Sequence, residues 1–482
     1  MNSLESYRGR RVVVLGLARS GVAAAKLFHE AGAIVAANDR KPREQCPEAE
    51  ELEALGIAVV CGGHPDDLVT EDTALLVKNP GIPYTADPVR RAAELGVETA
   101  TEVEVAGMIS KAPIVGITGS NGKTTTTTWT GALLEAAGLN PIVAGNIGRP
   151  LCDAAQEATE ANWLVAELSS FQLKGTSGFH PRVACLLNIA ETHLDYHGTM
   201  EDYVGSKAKL FDNQTESDTA VYNADDPVCA ELVRSSPARK LPFSLTRELE
   251  AGVFVLPPFP ASRPGEGAPG TEGGEPERWI VCRPGDGSET RVVPVAKLGI
   301  PGRHNAANAL AAIAIALAAG AEPDSLREPL MNFRGVEHRL EYVGEFRGVR
   351  YYNDSKATNP TATAMSVASL PSPLILIAGG LDRGSDYMEL LPVFRDRLKG
   401  IVALGETREK IRKVAEAAGL TDVRIVEPVG DAADTLREAV KEAAALARPG
   451  DAVLLSPACA SWDMFPSYEV RGRIFKESAH TL

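Results

Sequence analysis

The segment from residue 114 to residue 127 constrains the fold of this chain more than any other. An apolar run, Ile114-Val115-Gly116-Ile117, leads into Gly119-Ser120-Asn121-Gly122-Lys123-Thr124, and further threonines follow. This order predicts a strand, a glycine loop and a helix, which together present backbone N–H groups and a helix N-terminus to an anion. Lys123 can reach the β- and γ-phosphates, and the Thr124 hydroxyl can bind Mg²⁺. We therefore favour nucleotide binding over a structural turn, although Ile117 replaces the first glycine of the common G-x-x-x-x-G-K-[ST] pattern.

Composition indicates a large cytoplasmic enzyme of the α/β class. The chain has 482 residues, too many for one core, with 44% hydrophobic and 5% aromatic residues. A net charge of −15 argues against a general nucleic-acid binder. Seven dispersed cysteines without a C-x-x-C pair suggest reduced thiols rather than disulfides or a zinc site. We find no signal-peptide pattern and no apolar stretch of about 18 residues, so we expect no membrane association.

The first block, residues 1–110, opens like a Rossmann domain. A strand is predicted over 11–15, a helix over 22–31 and a second strand that ends at Asp39. The fingerprint reads G-x-A-x-x-G, and the methyl group of Ala18 lies where a dinucleotide pyrophosphate needs close backbone approach, which disfavours an NAD site. Asp39 could accept hydrogen bonds from a ribose or a base, or it could cap a turn, and both readings stay open. The rigid loop 79–83 is expected at another strand end.

The second block, residues 111–335, carries the glycine loop and two further candidate ligands. A short strand, 163–166, ends in Glu167, an acid well placed to hold Mg²⁺ beside the phosphates. Another buried strand, 183–189, delivers His193 to the same edge of the sheet. The Pro/Gly-rich stretch 257–277 is expected to be a surface loop without an assignable role, because that composition cannot bury a core. An Ala-rich helix over 305–319 presents Asn308.

The third block, residues 336–482, alternates strands with helices, which predicts a mostly parallel sheet. Strands are expected over 349–353, 374–378, 401–404 and 452–455, and one helix over 431–445. Polar loops follow three of these strands, at 353–359, 379–384 and 456–461. The predicted fold is therefore α/β in three domains: a Rossmann-like N-terminal domain, a central P-loop-type ATPase domain and a Rossmann-like C-terminal domain.

Taken together, these motifs resemble the Mur ligase family. The matching segments are Gly119–Thr124, Gly145-Asn146-Ile147-Gly148, Glu167–Ser170, Asn353–Asn359 and Ser456–Ser461, and the resemblance covers essentially the whole chain. The most discriminating segment is Asn353-Asp354-Ser355-Lys356-Ala357-Thr358-Asn359, which is similar to that of the D-glutamate-adding members. The alanine-adding and diaminopimelate- or lysine-adding relatives, like folylpolyglutamate synthetase, have His-containing loops there.

The resemblance implies an ATP-dependent amide ligation in peptidoglycan synthesis, and hence a role in cell wall biogenesis, cell shape and cell division. The carboxylate of UDP-N-acetylmuramoyl-L-alanine would attack the γ-phosphate of ATP to give an acyl phosphate and ADP. The amine of D-glutamate would then displace phosphate through a tetrahedral intermediate. Such chemistry depends mainly on positioning and electrostatics. The implied ligands are these three small molecules and two Mg²⁺ ions, and a monomer is expected.

The resemblance also implies roles for individual residues around the nucleotide. Lys207, four residues after Tyr203, matches a lysine that is carbamylated in the family, and added CO₂ would make it an anionic oxygen ligand for Mg²⁺. Lys209 lies nearby, and only the motif context favours Lys207 over Lys209 as the carbamylated lysine. The catalytic residues would be Lys123, His193 and Lys207, and the metal ligands Thr124, Glu167, His193 and Lys207. ATP would be bound by Gly119, Ser120, Asn121, Gly122, Lys123, Thr124, Thr125, Asn308, Arg339 and Asp354.

Two further groups of residues match positions that bind the other substrates. The UDP-sugar group consists of Asp39, Arg40, Gly81, Asn146, Ser169 and Gln172, although Gln172 could equally be a backbone cap. The D-glutamate group consists of Lys356, Thr358, Arg383, Ser461 and Tyr468. Arg383 departs from the family, which has a lysine near this glycine loop with different spacing, but a guanidinium can also pair with a carboxylate.

Three other functions are compatible with parts of the pattern. Another amide ligase of the same superfamily, such as folylpolyglutamate synthetase, would lack the UDP-binding first block. A nucleotide-dependent regulatory switch would hydrolyse ATP slowly without dependence on an acceptor. An NAD oxidoreductase would explain the Rossmann opening but is disfavoured by Ala18.

Overall fold

The computed structural model describes residues 3–260, 276–285, 287–370 and 373–482. Most of the predicted loop 257–277 lies outside these residues. The chain forms two compact units, one of Met1–Lys297 with Ala306–Met331 and the other of Leu298–Asn305 with Asn332–Leu482. The first unit contains two sheets and the second contains one.

The first sheet has five parallel strands in the order β3-β2-β1-β4-β5. The strands are β1 (Arg11–Leu15), β2 (Ile34–Asp39), β3 (Ala58–Cys61), β4 (Thr73–Lys78) and β5 (Thr99–Ala100). The helices of this part are α1 (Arg19–Glu30), α2 (Glu48–Ala54), α3 (Asp87–Glu94) and α4 (Glu102–Ile109). The strand order reverses between β1 and β4, and open α/β sheets bind ligands at the carboxyl ends of strands beside such a switch point.

The second sheet has nine strands in the order β14-β13-β12-β11-β10-β9-β6-β8-β7. The strands are β6 (Ile114–Thr118), β7 (Pro141–Gly145), β8 (Trp163–Glu167), β9 (Val183–Leu186), β10 (Thr219–Asn223), β11 (Arg239–Ser244), β12 (Gly252–Leu256), β13 (Trp279–Arg283) and β14 (Thr290–Pro294). The pairs from β7 to β12 are parallel, and β13 and β14 add an antiparallel edge. Apart from Trp163 at the start of β8, the apolar side chains of β6, β8 and β9 are buried, as expected for central parallel strands.

Eight helices accompany the second sheet in chain order. They are α5 (Lys123–Ala136), α6 (Leu151–Glu157), α7 (Ser170–Lys174), α8 (Leu194–His197), α9 (Met200–Ala208), α10 (Pro227–Arg234), α11 (Arg303–Ala318) and α12 (Pro323–Asn332). Short 3₁₀ turns occur at Leu4–Tyr7, Arg43–Gln45, Lys209–Phe211, Val295–Lys297 and Met388–Leu390. The carboxyl end of β6, between its neighbours β8 and β9, leads directly into the glycine loop and α5.

The third sheet has six strands in the order β15-β16-β20-β17-β18-β19, all parallel except the β15–β16 pair. The strands are β15 (Glu341–Phe346), β16 (Val349–Asn353), β17 (Leu374–Ala378), β18 (Leu398–Ala403), β19 (Asp422–Ile425) and β20 (Ala452–Leu455). The helices are α13 (Pro360–Ser369), α14 (Leu391–Arg397), α15 (Arg408–Ala417), α16 (Ala432–Leu446) and α17 (Tyr468–His480). The three predicted polar loops follow β16, β17 and β20, which are neighbours.

The predicted α/β class with mostly parallel sheets is confirmed. Some bounds differ: α1 begins three residues before the predicted start, and β9 ends three residues before the predicted end. The domain boundaries at residues 110 and 335 stay a prediction. None of the described helices is long and apolar enough to cross a membrane.

Candidate active site

The glycine loop between β6 and α5 has a left-handed backbone, which favours glycine, at its last position. Gly122 has a φ of +82°, and a Cβ there would lie 2.3 Å from Oδ1 of Asn308 on α11. The buried Asn308 amide, predicted to bind ATP, therefore packs against the loop itself. The loop ends at Lys123, the first residue of α5, so its N–H groups and the helix N-terminus share one edge of the sheet.

Asn188, which follows β9, anchors the glycine loop from the neighbouring strand. Its backbone carbonyl accepts from the Ser120 N–H at 2.9 Å, and its side-chain Oδ1 accepts from the Asn121 N–H at 2.8 Å. Its Nδ2 donates to the Asn121 carbonyl at 3.1 Å. Three hydrogen bonds from one residue fix the loop, although nothing in the sequence pattern singled it out.

Two lysines converge on one carbonyl of the glycine loop. Lys123 Nζ donates to the Gly119 carbonyl at 2.8 Å and to the Ser120 carbonyl at 3.1 Å. Lys207 Nζ, from α9, donates to the same Gly119 carbonyl at 2.9 Å and lies 3.3 Å from Thr118 Oγ1. The predicted phosphate-binding lysine and the predicted carbamylation site are therefore immediate neighbours.

Lys207 is held in an environment that disfavours its positive charge. The side chain is 1% exposed, and its Nζ lies 4.8 Å from the ring centre of Tyr203. Within the described chain, both of its hydrogen-bond acceptors are neutral oxygens. Burial, reinforced by repulsion from Lys123, lowers the pKa of Lys207 to about 6. The amine is therefore mostly uncharged at neutral pH, the form that reacts as a nucleophile.

Glu167, at the end of β8, offers a buried carboxylate oxygen to this edge. Its Oε1 accepts from Asn146 Nδ2 at 2.8 Å, and its backbone carbonyl accepts from the Asn146 N–H at 2.9 Å. Its Oε2 is buried and has no hydrogen-bond partner among the described residues. An orphaned carboxylate oxygen is chemically suited to a hard cation such as Mg²⁺.

His193 stands at the start of α8 with a left-handed backbone, φ +57°. Its ring is edge-on to Phe171 at 5.0 Å between ring centres, and Phe171 also packs on Tyr196 at 4.4 Å. A left-handed backbone at a non-glycine residue is strained and occurs preferentially at functional sites. The exposed His193 is thus presented by an aromatic cluster rather than by a regular strand or helix.

A cleft of about 460 Å³ lies within the first unit, beside these groups. Its lining includes residues that follow β1, β4, β7 and β8, among them the predicted Gly81, Asn146, Ser169 and Gln172. Ser169 and Gln172 form a capping box at the start of α7, with the Ser169 N–H donating to Gln172 Oε1 at 2.9 Å. Gln172 therefore has the capping role that the sequence left open, while both residues face the cleft.

Asp39 has the contacts of the turn-capping alternative. Its Oδ2 accepts from the Leu17 N–H at 2.9 Å, and its Oδ1 accepts from the Lys41 N–H at 2.9 Å. The first of these bonds ties the end of β2 to the loop after β1. The neighbouring Arg40, also predicted to contact the UDP-sugar, is exposed.

In the second unit, Asp354 lies buried between the loops that follow β16 and β20. Its Oδ1 accepts from the Leu340 N–H at 3.1 Å, and its Oδ2 accepts from Ser456 Oγ at 2.8 Å. Burial raises the pKa of Asp354 to about 6, while hydrogen bonds and the nearby Arg339 guanidinium act in the opposite direction. Asp354 and Arg339, predicted as a nucleotide clamp, are therefore electrostatic neighbours.

The predicted D-glutamate residues lie on the loops after β16, β17 and β20 and at the start of α17. Lys356 Nζ is 5.5 Å from the ring centre of Tyr468, and the Tyr468 carbonyl accepts from Ser355 Oγ at 2.8 Å. Ser461 is buried and Thr358 half-buried. Arg383 stacks on the exposed ring of Trp462 at 5.0 Å, a contact that the sequence did not suggest.

The structure thus gathers the predicted residues into two groups, one in each unit. The first unit holds Lys123, Thr124, Glu167, His193, Lys207 and Asn308 around the glycine loop. Of the UDP-sugar candidates, Gly81, Asn146, Ser169 and Gln172 line the cleft, whereas Asp39 and Arg40 are not among its lining residues. The second unit holds Arg339, Asp354 and the D-glutamate candidates. Sequence reasoning missed Asn188, Tyr196 and the buried Lys78, because a polar residue's burial depends on contacts from distant parts of the chain.

Three family models match the chain in consecutive segments. They are the MurD-like N-terminal domain of Mur ligases over residues 10–101, the Mur ligase middle domain over 117–256, and the Mur ligase glutamate ligase domain over 338–459. Each match corresponds to one of the three sheets.

Full-length relatives agree with these models. The chain is 47% identical to the UDP-N-acetylmuramoylalanine–D-glutamate ligase of Geobacillus kaustophilus over 483 residues, which is 100% of both chains. It is 45% identical to the enzyme of that name from Shouchella clausii, covering 100% of this chain and 99% of the relative. It is 44% identical to the one from Bacillus cereus strain G9842, again over 100% of both.

Solved structures show the same fold at lower identity. MurF from Acinetobacter baumannii matches with a TM-score of 0.57 at 17% identity, covering 99% of this chain and 93% of that chain. The UDP-N-acetylmuramate-alanine ligase MurC from Thermotoga maritima matches with a TM-score of 0.56 at 18% identity, covering 98% and 99%.

Proposed function

This chain belongs to the Mur ligase family, and from that premise we propose that it joins D-glutamate to UDP-N-acetylmuramoylalanine with ATP as the energy source. The resemblance inferred from the sequence motifs is confirmed by relatives that are 44–47% identical over the full length. Those relatives are named for this ligation. The reaction builds the peptide of peptidoglycan.

One observation carries the proposal: two lysines converge on the Gly119 carbonyl of a loop that presents N–H groups to an anion. Lys123 approaches to 2.8 Å and Lys207 to 2.9 Å. A transferred phosphoryl group spreads negative charge over its oxygens, and fixed donors aimed at it stabilise that charge most effectively where water is excluded. We assign this stabilisation to Lys123 and the loop N–H groups.

Mg²⁺ fits the residues beside this loop. Glu167 Oε2 and the Thr124 hydroxyl would hold one ion, and His193 with a carbamylated Lys207 would hold a second. Bound there, the ions would supply positive charge next to the triphosphate and the reacting carboxylate. Asn146 would keep Glu167 oriented through its 2.8 Å hydrogen bond to the other carboxylate oxygen.

We assign the carbamate to Lys207 on the basis of its surroundings. A fully buried amine that contacts only neutral oxygens and a ring face is a poor site for an ammonium but a good site for a nucleophile. Attack of the neutral nitrogen on CO₂ forms an N–C bond and releases one proton, which leaves an anionic carbamate. That anion would be paired by Lys123, which otherwise only repels the Lys207 charge.

In the ligation, the alanine carboxylate of the UDP-sugar attacks the γ-phosphorus, the bond to the ADP oxygen breaks, and an acyl phosphate forms. The amine of D-glutamate then attacks the acyl carbon, loses a proton and expels phosphate. The cleft of the first unit would bind the UDP-sugar. The second unit would contribute Arg339 and Asp354 to the nucleotide, and Lys356, Thr358, Arg383, Ser461 and Tyr468 to D-glutamate, with the two cationic side chains facing its carboxylates.

Phosphate release from ATP tests this function directly. We expect release only when UDP-N-acetylmuramoylalanine and D-glutamate are both present, with one new amide per phosphate. Phosphate release that depends on a folate would indicate the folylpolyglutamate reaction instead. Hydrolysis without any acceptor would indicate a regulatory switch. No ATP hydrolysis at all would favour the oxidoreductase alternative.

A matched pair of lysine variants tests the carbamate. Lys207→Ala should abolish ligation while the fold persists, and ¹³CO₂ should give a carbamate carbon signal in the wild type that this variant lacks. Lys209→Ala, which removes a half-buried lysine bound to the Thr176 carbonyl, should retain both activity and signal. Near-normal turnover of Lys207→Ala with saturating Mg²⁺ would eliminate the assignment.

We also propose that the enzyme works in the cytoplasm as a monomer on small-molecule substrates alone. The buried cysteines without disulfides are consistent with a reducing compartment. Light scattering of the purified protein measures the oligomeric state, and a mass near 51 kDa is expected.

A further inference from the structure

Lys78, the last residue of β4, is a buried lysine that the ligation mechanism does not use. Its side chain is 1% exposed. Its Nζ donates to the Asn79 carbonyl at 3.3 Å, to the Pro80 carbonyl at 3.2 Å and to the hydroxyl oxygen of Tyr196 at 3.3 Å. An ammonium has three donors, so each finds one acceptor.

Tyr196, on α8, hydrogen-bonds to the same loop. Its hydroxyl lies 3.1 Å from the Pro80 carbonyl and 3.3 Å from the Ile82 carbonyl, either of which can accept its proton. Lys78 and Tyr196 thus hold the carbonyls of residues 79, 80 and 82. We call this pair of residues the Lys78–Tyr196 clasp.

The surroundings of Lys78 disfavour its positive charge, so burying the ammonium costs free energy of folding. Its hydrogen-bond partners in the described chain are neutral oxygens, and the ring centre of Tyr84 lies at 4.8 Å. The charge of Lys174 repels it, and Lys174 itself pairs with the two oxygens of Asp202 at 2.8 and 2.7 Å. Burial, with repulsion from Lys174 second, lowers the pKa of Lys78 to about 7.

The two ends of the clasp lead to two different parts of the candidate site. Asn79, Pro80 and Gly81 line the cleft that would hold the UDP-sugar. Tyr196 belongs to the helical turn that starts at His193, because the N–H of Tyr196 donates to the His193 carbonyl at 3.2 Å. Phe171 packs on both the Tyr196 and His193 rings.

We propose that Lys78 and Tyr196 are positioning residues that lock the UDP-sugar loop, residues 79–82, to the turn that carries His193. This inference rests on the proposed function. The clasp fixes the distance between the loop that binds the donor substrate and the histidine expected beside its reacting carboxylate. Positioning of this kind contributes to rate, since small displacements of bound groups lower it strongly.

The test uses two single variants, Tyr196→Phe and Lys78→Met, and their combination in the full-length chain. Tyr196→Phe removes one hydroxyl and keeps the ring on Phe171, so the fold should persist. We expect kcat/KM for the UDP-sugar to fall about 10-fold in each, in line with losing hydrogen bonds to a charged group. KM for ATP should stay within about twofold. The double variant should be no worse than Lys78→Met, since the two residues act as a unit.

Tyr7→Phe is the matched control, because it makes the same change at a buried tyrosine packed on Phe28 in the first sheet's core. It should leave kcat/KM for the UDP-sugar unchanged. Unchanged kinetics in Tyr196→Phe, a parallel rise in the KM of every substrate, or additive effects in the double variant would each overturn the clasp. Calorimetric affinity for the UDP-sugar without ATP should fall in the variants. Failure of the wild-type chain to ligate would contradict the proposed function, whereas normal wild-type ligation with unaltered variants contradicts the clasp alone.

Discussion

Replacement of Asp354 by asparagine should stabilise the second unit while it removes ligase activity. The carboxyl group is 3% exposed, and its oxygens accept from the Leu340 N–H and the Ser456 hydroxyl, with a further side-chain hydrogen bond from Ser366. An asparagine can keep both contacts, since its Oδ1 accepts from Leu340 and its Nδ2 donates to Ser456 Oγ. The substitution therefore removes a buried charge and keeps these two hydrogen bonds.

The pKa of Asp354 sets the size and pH range of the effect. Burial raises this pKa from 3.8 to about 6, so between about pH 4 and pH 6 the folded chain holds a proton that the unfolded chain has lost. Stability therefore falls as the pH rises through that window and stays low above it. Ionisation of Asp354 therefore lowers the free energy of unfolding by about 3 kcal/mol at pH 8 and by about half of that at pH 5, taking about 1.4 kcal/mol for each pH unit.

Thermal unfolding of Asp354→Asn and of the wild type at several pH values measures this directly. The variant should unfold at a higher temperature at pH 8, and its advantage should shrink toward pH 5. Ligase activity should fall by about 100-fold, because the charge of the proposed nucleotide clamp is lost. Asp422→Asn, at an exposed carboxylate of β19, is the matched control and should change neither property. A variant less stable than the wild type at pH 8, or a gain independent of pH, would refute the reasoning.

Three further substitutions test the glycine loop and its neighbours. Gly122→Ala should destabilise the protein by at least about 1–2 kcal/mol in thermal unfolding, because alanine is strained at φ +82° and its Cβ would strike Asn308; an unchanged melting temperature would contradict this. Glu167→Gln should raise the Mg²⁺ concentration for half-maximal activity about 10-fold at unchanged stability, and equal Mg²⁺ dependence would remove Glu167 from the metal site. Lys123→Ala should lower kcat for ATP turnover about 100- to 1,000-fold, whereas ADP release at the wild-type rate would argue against its role.

Local patterns in the sequence predicted the elements that position the phosphates. The apolar run at 114–117, the glycines and the threonines specify β6, the loop and α5 through contacts between near neighbours in the chain. The sequence likewise left a backbone cap open as one role of Gln172, and the structure has Gln172 in a capping box with Ser169. Such features depend on backbone conformation and short-range hydrogen bonds, and local patterns in a single sequence predict both.

Contacts between distant segments could not be predicted in the same way. Lys78 and Tyr196 are 118 residues apart, and nothing near either residue indicates that one is buried against the other. Asn188 anchors a loop that precedes it by 67 residues. The sequence also left two roles for Asp39, and only its approach to the Leu17 N–H distinguishes the turn cap. These contacts depend on tertiary packing, and the local sequence around one residue does not indicate which distant residue it contacts.

The acyl phosphate is the central claim, and oxygen transfer tests it most directly. UDP-N-acetylmuramoylalanine labelled with ¹⁸O in the alanine carboxylate would be turned over with ATP, Mg²⁺ and D-glutamate, and the phosphate released would be analysed by mass spectrometry. If an acyl phosphate forms, each phosphate contains one ¹⁸O atom, since the carboxylate oxygen that attacked the γ-phosphorus leaves with it. Amide product accompanied by unlabelled phosphate would contradict the account.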